Sequence, residues 1–293
     1  MPRPIGPSSM LFCPGDDDDK LTKLVGRGVT TVALDLEDAV HPSRRGEARR
    51  LVARHLPRLR RTMAVYVRVD AGRSAELALD VAVAAEGGAR GIILPKVESG
   101  DTVVEVLSML DAHGHPPLTL VLMVETARGL LDLGEILEAA PERVETLMFG
   151  SVDYSEDIGL AVGADERELD LPRSLIVAHA RAAGLAAPLD GPHLDLTAVD
   201  FTESCERSRD RGFAGRVCLT PTQASVADRV YGTSSANELA WARETVDAFV
   251  QAQQRGRAVA RVRGAFVDPP VYRRALDILS RAGLHHSEEN HHV

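Results

Sequence analysis

The chain has 293 residues, 44% of them hydrophobic, and a formal net charge of −9. That is enough apolar material for one large core or two modest ones, and an acidic balance with no basic stripe to offset it argues against a nucleic-acid footprint. No apolar stretch approaches the length of a bilayer span, and Met1-Pro-Arg-Pro-Ile5 lacks the apolar core of a secretory signal, so a cytoplasmic protein without a membrane partner is expected.

Taken in chain order, the apolar runs predict strands at Ser9 to Phe12, Thr31 to Leu34, Val65 to Val69, Gly91 to Leu94, Leu118 to Val124, Thr146 to Phe149, Ala186 to Leu189 and Arg216 to Leu219. Helical patterns separate them: Lys20 to Gly26, Arg44 to Leu56, Ala75 to Ala85, Asp101 to Ala112, Ala127 to Ala139, Pro172 to Ala183 and Asp195 to Arg211. This alternation matches an α/β fold, a TIM (β/α)8 barrel, in count and size. A doubly wound open sheet is the alternative, but the chain has no GxGxxG after its first strand and no GxxxxGK[ST]. Arginines at 44, 45, 49, 50, 58, 60 and 61 fall at helical spacing and read as the solvated face of one helix, or as a face for an anionic ligand. Cys13, Cys205 and Cys218 are odd in number with no CxxC spacing, which predicts buried thiols.

After residue 232, where the barrel is expected to be complete, an extension over residues 233–284 carries a helical pattern from Asn237 to Gln254. A β-prone stretch from Ala258 to Phe266 follows, interrupted by Gly264, then Asp268-Pro-Pro and a last helix, Val271 to Ala282. A closed barrel does not need these residues, so they pack across a barrel face or onto a neighbouring subunit. Residues 285–293, with four histidines and few apolar residues, read as a disordered, solvated tail.

In a barrel the loops after the strands build the active site. Here those positions are polar in turn: Asp35-Leu-Glu37-Asp38 after the second strand, Arg68 and Asp70 at the third, Lys96 after the fourth, Glu125 after the fifth and Asp153 after the sixth. Glu125 and Asp153, each just past an apolar run, meet at one end of the sheet if their strands are neighbours. Such a pair suits Mg2+ or Mn2+, hard cations that keep open positions for a chelating substrate. Taken alone, each is more simply a helix cap. Arg68 lies inside Val65-Tyr-Val-Arg-Val69, where it either clamps a ligand carboxylate bidentately or pairs with Asp35 or Glu37. Lys96 offers a Schiff-base route if desolvated, or an ion pair with a nearby acid.

The chain resembles the citrate lyase β-subunit-like members of the HpcH/HpaI aldolase superfamily. The matching pieces run in order: Ser9-Met-Leu-Phe-Cys-Pro-Gly15, Leu34-Asp-Leu-Glu-Asp-Ala-Val40, Tyr66-Val-Arg68-Val, Ile93-Leu-Pro-Lys96-Val-Glu-Ser99, Val124-Glu125-Thr-Ala-Arg-Gly129, Phe149-Gly-Ser-Val-Asp153 and Phe266-Val-Asp268-Pro-Pro. No single piece is decisive, whereas the ordered set is specific. The resemblance implies a Mg2+-dependent lyase or aldolase, active on a β-hydroxyacyl thioester or related hydroxy acid, citryl-, malyl- or citramalyl-CoA among them, and assembled as a homotrimer or hexamer. It implies Glu125 and Asp153 as metal ligands and Arg68 as the anchor for a small keto acid. Gly150 and Ser151 are further candidates for substrate contact. By the same resemblance Glu37 and Asp38 orient water at the metal, and Asp268 is an acid/base group reaching a neighbouring subunit's site. A non-catalytic subunit of a lyase complex is the remaining alternative.

Three departures stand out. Ser8 occupies the place of an arginine before the first strand, Leu219-Thr220-Pro221 replaces Ile-His-Pro, and Asp16 to Asp19 form an acidic run in the first loop. The lost positive and added negative charge predict weak affinity for the phosphates of free CoA thioesters. A short-chain acid, or an acyl group carried on a protein, then becomes the better substrate.

Overall fold

Runs of Val, Ile, Leu and Met that are buried on both faces form parallel strands, since only a sheet covered on both sides tolerates near-continuous apolar sequence. The computed structural model describes residues 6–72, 74–112, 118–163, 165–196, 200–232 and 236–284. Its strands are β1 Ser9–Pro14, β2 Thr31–Asp35, β3 Ala64–Arg68, β4 Gly91–Leu94, β5 Thr119–Val124, β6 Val144–Phe149, β7 Leu189–Asp190 and β8 Gly215–Cys218. They close in sequence order into a barrel, with β1 pairing in parallel with β8. The expected TIM barrel is the fold.

Alternation along each strand makes two apolar layers. Met10, Ala33, Tyr66, Ile93, Val121, Met123, Met148, Leu189 and Val217 fill the barrel interior. Their neighbours, such as Leu11, Leu34, Val67, Leu94 and Leu122, face outward to the helices. Those helices are α1 Asp18–Lys23, α2 Arg45–Leu59, α3 Ser74–Gly87, α4 Gly100–Ala112, α5 Ala127–Leu131, α6 Leu133–Glu138, α7 Ser151–Asp157, α8 Asp170–Ala182, α9 Phe201–Asp210 and α10 Pro221–Gly232.

Several elements differ from expectation. The single helix expected from Ala127 to Ala139 is two, because Asp132 adopts φ −93° and ψ 7° between them. Aspartate is a weak helix former that competes for backbone partners. α7 and α10 lie outside the predicted elements. α9 starts at Phe201, with Asp195 in the preceding loop, while residues 197–199 lie outside the described residues.

The arginine-rich helix is not simply a solvated face. Arg44 pairs with Asp16 at 3.0 Å, Arg45 with Asp70, and Arg49 with Glu76 and Asp80 at 2.6 and 3.0 Å. Arg54 pairs with Asp18, and Arg58 donates to the carbonyls of Leu21 and Thr22. These side chains tie α2 to α1, to α3 and to the loop after β3.

The chain divides into two compact units, Met1–Tyr231 and Gly232–Val293. In the second, α11 Ala236–Gln254 packs on α12 Pro269–Arg281 through Ala242, Val246, Ala275 and Leu279. Between them β9 Ala260–Val262 and β10 Ala265–Val267 form an antiparallel hairpin. Its turn places Arg263 and Gly264 at φ 49° and 81°, the double positive φ of a type I′ turn. Asp268 caps α12, accepting from the Val271 amide at 3.1 Å, and Pro269 follows at the first helical position. The tail, residues 285–293, lies outside the described residues. Among the described residues no helix is long and apolar enough to cross a membrane.

Candidate active site

The C-terminal ends of β2 to β6 gather the charges singled out from the sequence. Asp35 closes β2, with Glu37 and Asp38 just beyond, and Arg68 closes β3. Lys96 follows β4 after Pro95, Glu125 is the first residue past β5, and Asp153 sits in the first turn of α7.

Of the two roles open to Arg68 from the sequence, the structure shows the ion pair with Asp35. Its Nε and Nη2 donate to the two oxygens of Asp35 at 2.8 and 2.5 Å, so the fork expected to clamp a ligand is closed on a protein carboxylate. A buried guanidinium beside a buried carboxylate pairs because leaving either alone costs several kcal/mol, on the order of 3–5. The remaining Nη1 faces Glu37 at 3.0 Å and Asp38 at 3.3 Å, and Phe12 covers the guanidinium at 5.3 Å.

Lys96 holds the other side of the same acids. Its Nζ donates to Glu37 at 2.9 Å and lies 3.7 Å from Asp38. Burial alone would lower the ammonium's pKa, yet the hydrogen bond to Glu37 and the surrounding carboxylates hold it above its ordinary value. A Schiff-base lysine reacts as a free amine, and the ion pair with Glu37 favours the protonated form instead.

Glu125 is almost wholly buried, at 1% exposure. Its Oε1 accepts the Lys96 backbone amide at 2.8 Å, while Oε2 has no hydrogen-bond partner. Burial first, then the charges of Glu37 and Asp153, push its carboxyl up to about 8. Burial likewise pushes Glu37 up to about 7 despite Arg68 and Lys96. Like charges crowded out of water favour protonation unless a cation intervenes.

Gly150 explains how the next strand passes so close. A Cβ there would come within 2.4 Å of Glu125 Oε2, so no larger residue fits without displacing the carboxylate. Its amide donates to the Val124 carbonyl at 2.9 Å, which makes it a spacer and not an amide donor to substrate. Ser151 is buried, and its Oγ would be met at 2.1 Å by a Cβ on Gly191, so it faces the loop after β7.

One network escaped the sequence reading. Arg173 and Arg216, at 2% and 0% exposure, surround Asp190 and Glu166 behind β7 and β8. Arg173 Nε donates to Asp190 at 3.0 Å and Nη2 to Glu166 at 2.7 Å, while Arg216 donates to the Gly191 carbonyl at 2.9 Å and Ser204 at 2.7 Å. A charge inside the short run Gly215-Arg-Val-Cys218 is the same signal that exposed Arg68. At the opposite end of the barrel, Glu145 accepts from Tyr66, Arg90 and Thr119 beside a cavity of about 320 Å3.

The acidic first loop is also compensated. Asp16 and Asp18 meet Arg44 and Arg54, His55 reaches Asp18 at 2.6 Å, and Asp17 caps α1 by accepting from the Lys20 amide. This pairing offsets much of the negative charge on which the expected repulsion of phosphates rests, with Asp19 exposed 4.0 Å from Lys23.

Among the described residues no three His, Cys, Asp or Glu side chains converge as a closed metal cage. Two carboxylates, one with an unpartnered buried oxygen, fit a hard cation that keeps water and substrate in its remaining positions. A parallel eight-stranded barrel with such a mouth has the architecture of an enzyme whose active site lies at the C-terminal ends of its strands. The chain belongs to the HpcH/HpaI aldolase/citrate lyase family, whose pattern matches residues 8–221. It is 33% identical over 281 residues to the citrate lyase subunit beta-like protein of Deinococcus radiodurans, covering 93% of this chain and 96% of that one. It is 28% identical over 295 residues to the mitochondrial citramalyl-CoA lyase of Mus musculus, covering 94% and 85%. Its fold matches the crystal structure of Mycobacterium tuberculosis CitE in complex with magnesium, acetoacetate and coenzyme A, with TM-score 0.77, 31% identity and coverage of 95% and 98%. The expected carbon–carbon lyase class is borne out.

Proposed function

We propose that this protein is a Mg2+-dependent carbon–carbon lyase that cleaves or forms a β-hydroxyacyl thioester or related hydroxy acid, with a small keto acid as co-product or co-substrate. The observation that carries this reading is the unpartnered, buried Oε2 of Glu125, next to Asp153 and among more carboxylates than cations. Glu125 and Asp153 hold Mg2+, with Mn2+ as the other hard cation the pair accepts. When bound, the metal supplies Lewis acidity toward the keto-acid carbonyl.

The protein's own groups do the rest. Arg68, its position fixed by Asp35, supplies positive charge to the keto acid's carboxylate, which replaces Glu37 or Asp38 at its Nη1. Glu37, whose carboxyl is raised to about 7, takes and returns the substrate's hydroxyl proton, with Asp38 holding water beside it. In the cleavage direction that proton passes to Glu37 and on to solvent, the carbon–carbon bond breaks, its electron pair passes to the thioester enolate, and the enolate carbon takes a proton that Asp268 relays from solvent. Asp268 belongs to an extension beyond the barrel's own strands, and it acts in a neighbouring subunit's barrel within a homotrimer or hexamer. CoA thioesters are the favoured acyl donors, because the acidic loop is paired and a relative of this fold holds coenzyme A.

The test is thermal unfolding with Mg2+ and oxaloacetate, pyruvate or glyoxylate. Stabilisation that requires both metal and keto acid, and vanishes in Asp153→Asn, is the expected result. Stabilisation surviving that substitution contradicts the ligand assignment, and a protein that binds metal and keto acid but cleaves no thioester is a non-catalytic subunit.

A further inference from the structure

Lys96 is one of three non-glycine residues with positive φ among the described residues, at 50°. A side chain pays a steric penalty there, because Cβ crowds the following carbonyl, and such strain persists only where the surroundings hold it. The consequence lies in its amide. The left-handed turn after Pro95 directs that N–H to Glu125 Oε1 at 2.8 Å, while the same residue's Nζ meets Glu37 at 2.9 Å. Gly150 closes against the opposite edge of Glu125, with space for no Cβ. Glu125 is thereby held with one oxygen occupied and the other free.

We propose that Lys96 is a positioning residue, whose left-handed backbone aims Glu125 so that Oε2 is the free ligand oxygen, and whose ammonium fixes Glu37 independently. This rests on the reading of Glu125 as a metal ligand, and it assigns the aim to the main chain of the lysine and not to its charge.

The two contributions separate with Lys96→Gly and Lys96→Val. Both lack the ammonium, but glycine accepts the left-handed conformation freely, whereas a β-branched residue resists it. Mn2+ dissociation constants are measured by electron paramagnetic resonance on protein shown to be folded by circular dichroism in EDTA. We expect Lys96→Val to bind Mn2+ roughly tenfold more weakly than Lys96→Gly, the scale of a strained backbone well. If the valine variant fails to fold, Lys96→Ala replaces it, with a smaller loss in the same direction. Equal Mn2+ affinities in glycine and valine variants, with only the melting temperature lowered, overturn the proposal. Glu125→Gln distinguishes the two levels. Loss of Mn2+ binding there with equal Lys96 variants leaves the metal reading standing and this one refuted, and unchanged Mn2+ binding in Glu125→Gln overturns both.

Discussion

Arg68 lays Nε and Nη2 across the two oxygens of Asp35 at the ends of adjacent strands, with exposures of only 7% and 1%. A lysine at this position keeps the charge but loses the planar fork. Arg68→Lys is therefore expected to lower the unfolding free energy by roughly 1–3 kcal/mol, the scale of a charged hydrogen bond, in urea denaturation. Keto-acid affinity, read by calorimetry on the folded variant, falls by a similar amount. Loss of stability with unchanged affinity assigns Arg68 to the barrel wall alone.

The raised carboxyls give stability a pH dependence of definite sign. Glu125 at about 8 and Glu37 at about 7 both lie above the ordinary value of 4.5, so the folded protein binds more protons than the unfolded chain between those limits. Their stabilising contribution is complete below about 4.5 and is lost as pH climbs through 7 and then 8. Melting temperatures in EDTA are expected to fall across that window, and excess Mg2+ is expected to reverse the fall because it binds the deprotonated pair. Glu125→Gln flattens the upper part of the curve. A melting temperature that rises with pH in EDTA contradicts the picture.

Asp268 offers a test of assembly. Inactive Asp268→Ala and Glu125→Ala subunits, mixed and reassembled, are expected to regain part of the lost activity, because some interfaces then pair an intact carboxylate site with an intact Asp268. Verified mixed oligomers that remain inactive place Asp268 in its own barrel or outside the reaction.

The pairing of the first loop with α2 yields a prediction about CoA. Replacing Asp16 and Asp18 by asparagine removes negative charge but also removes the ion-pair partner of Arg54 and one of the two of Arg44, which keeps Glu47. Since exposed pairs are worth about 0–1 kcal/mol, propionyl-CoA affinity in calorimetry is expected to change by less than about fivefold. A gain well beyond that at low ionic strength restores the repulsion that the bare sequence suggested.

What was legible in the sequence follows from which signals are local. β4 is predicted to the residue, because Gly91-Ile-Ile-Leu94 is a fully buried parallel strand bounded by turn residues. β7 is predicted too early and too long, since Pro188 has no amide for the ladder and only Leu189 and Asp190 pair. α7 escapes because Ser151-Val-Asp-Tyr-Ser-Glu-Asp157 is a short polar stretch without an apolar period. At the site, charges in apolar runs located Asp35, Arg68, Lys96 and Glu125. Which acid would take the arginine's fork, and that the lysine's amide would hold Glu125, depend on contacts between residues 29 and 33 positions apart, which no local pattern encodes.

Strand β7 contributes only two residues, meeting β6 through Met148 and Leu189 and β8 through Leu189 and Asp190. So thin a backbone ladder makes this the seam where the cylinder is closed by side chains. Burial alone would raise the Asp190 carboxyl, yet Arg216 and Arg173 hold it below the usual range. Its contribution is therefore present at neutral pH and is lost only as acid drives the carboxyl through that depressed value. Salt reaches sealed partners poorly, so ionic strength loosens surface pairs first. The weakest stretch of the backbone wall is thus fastened by a latch that acid opens and salt does not.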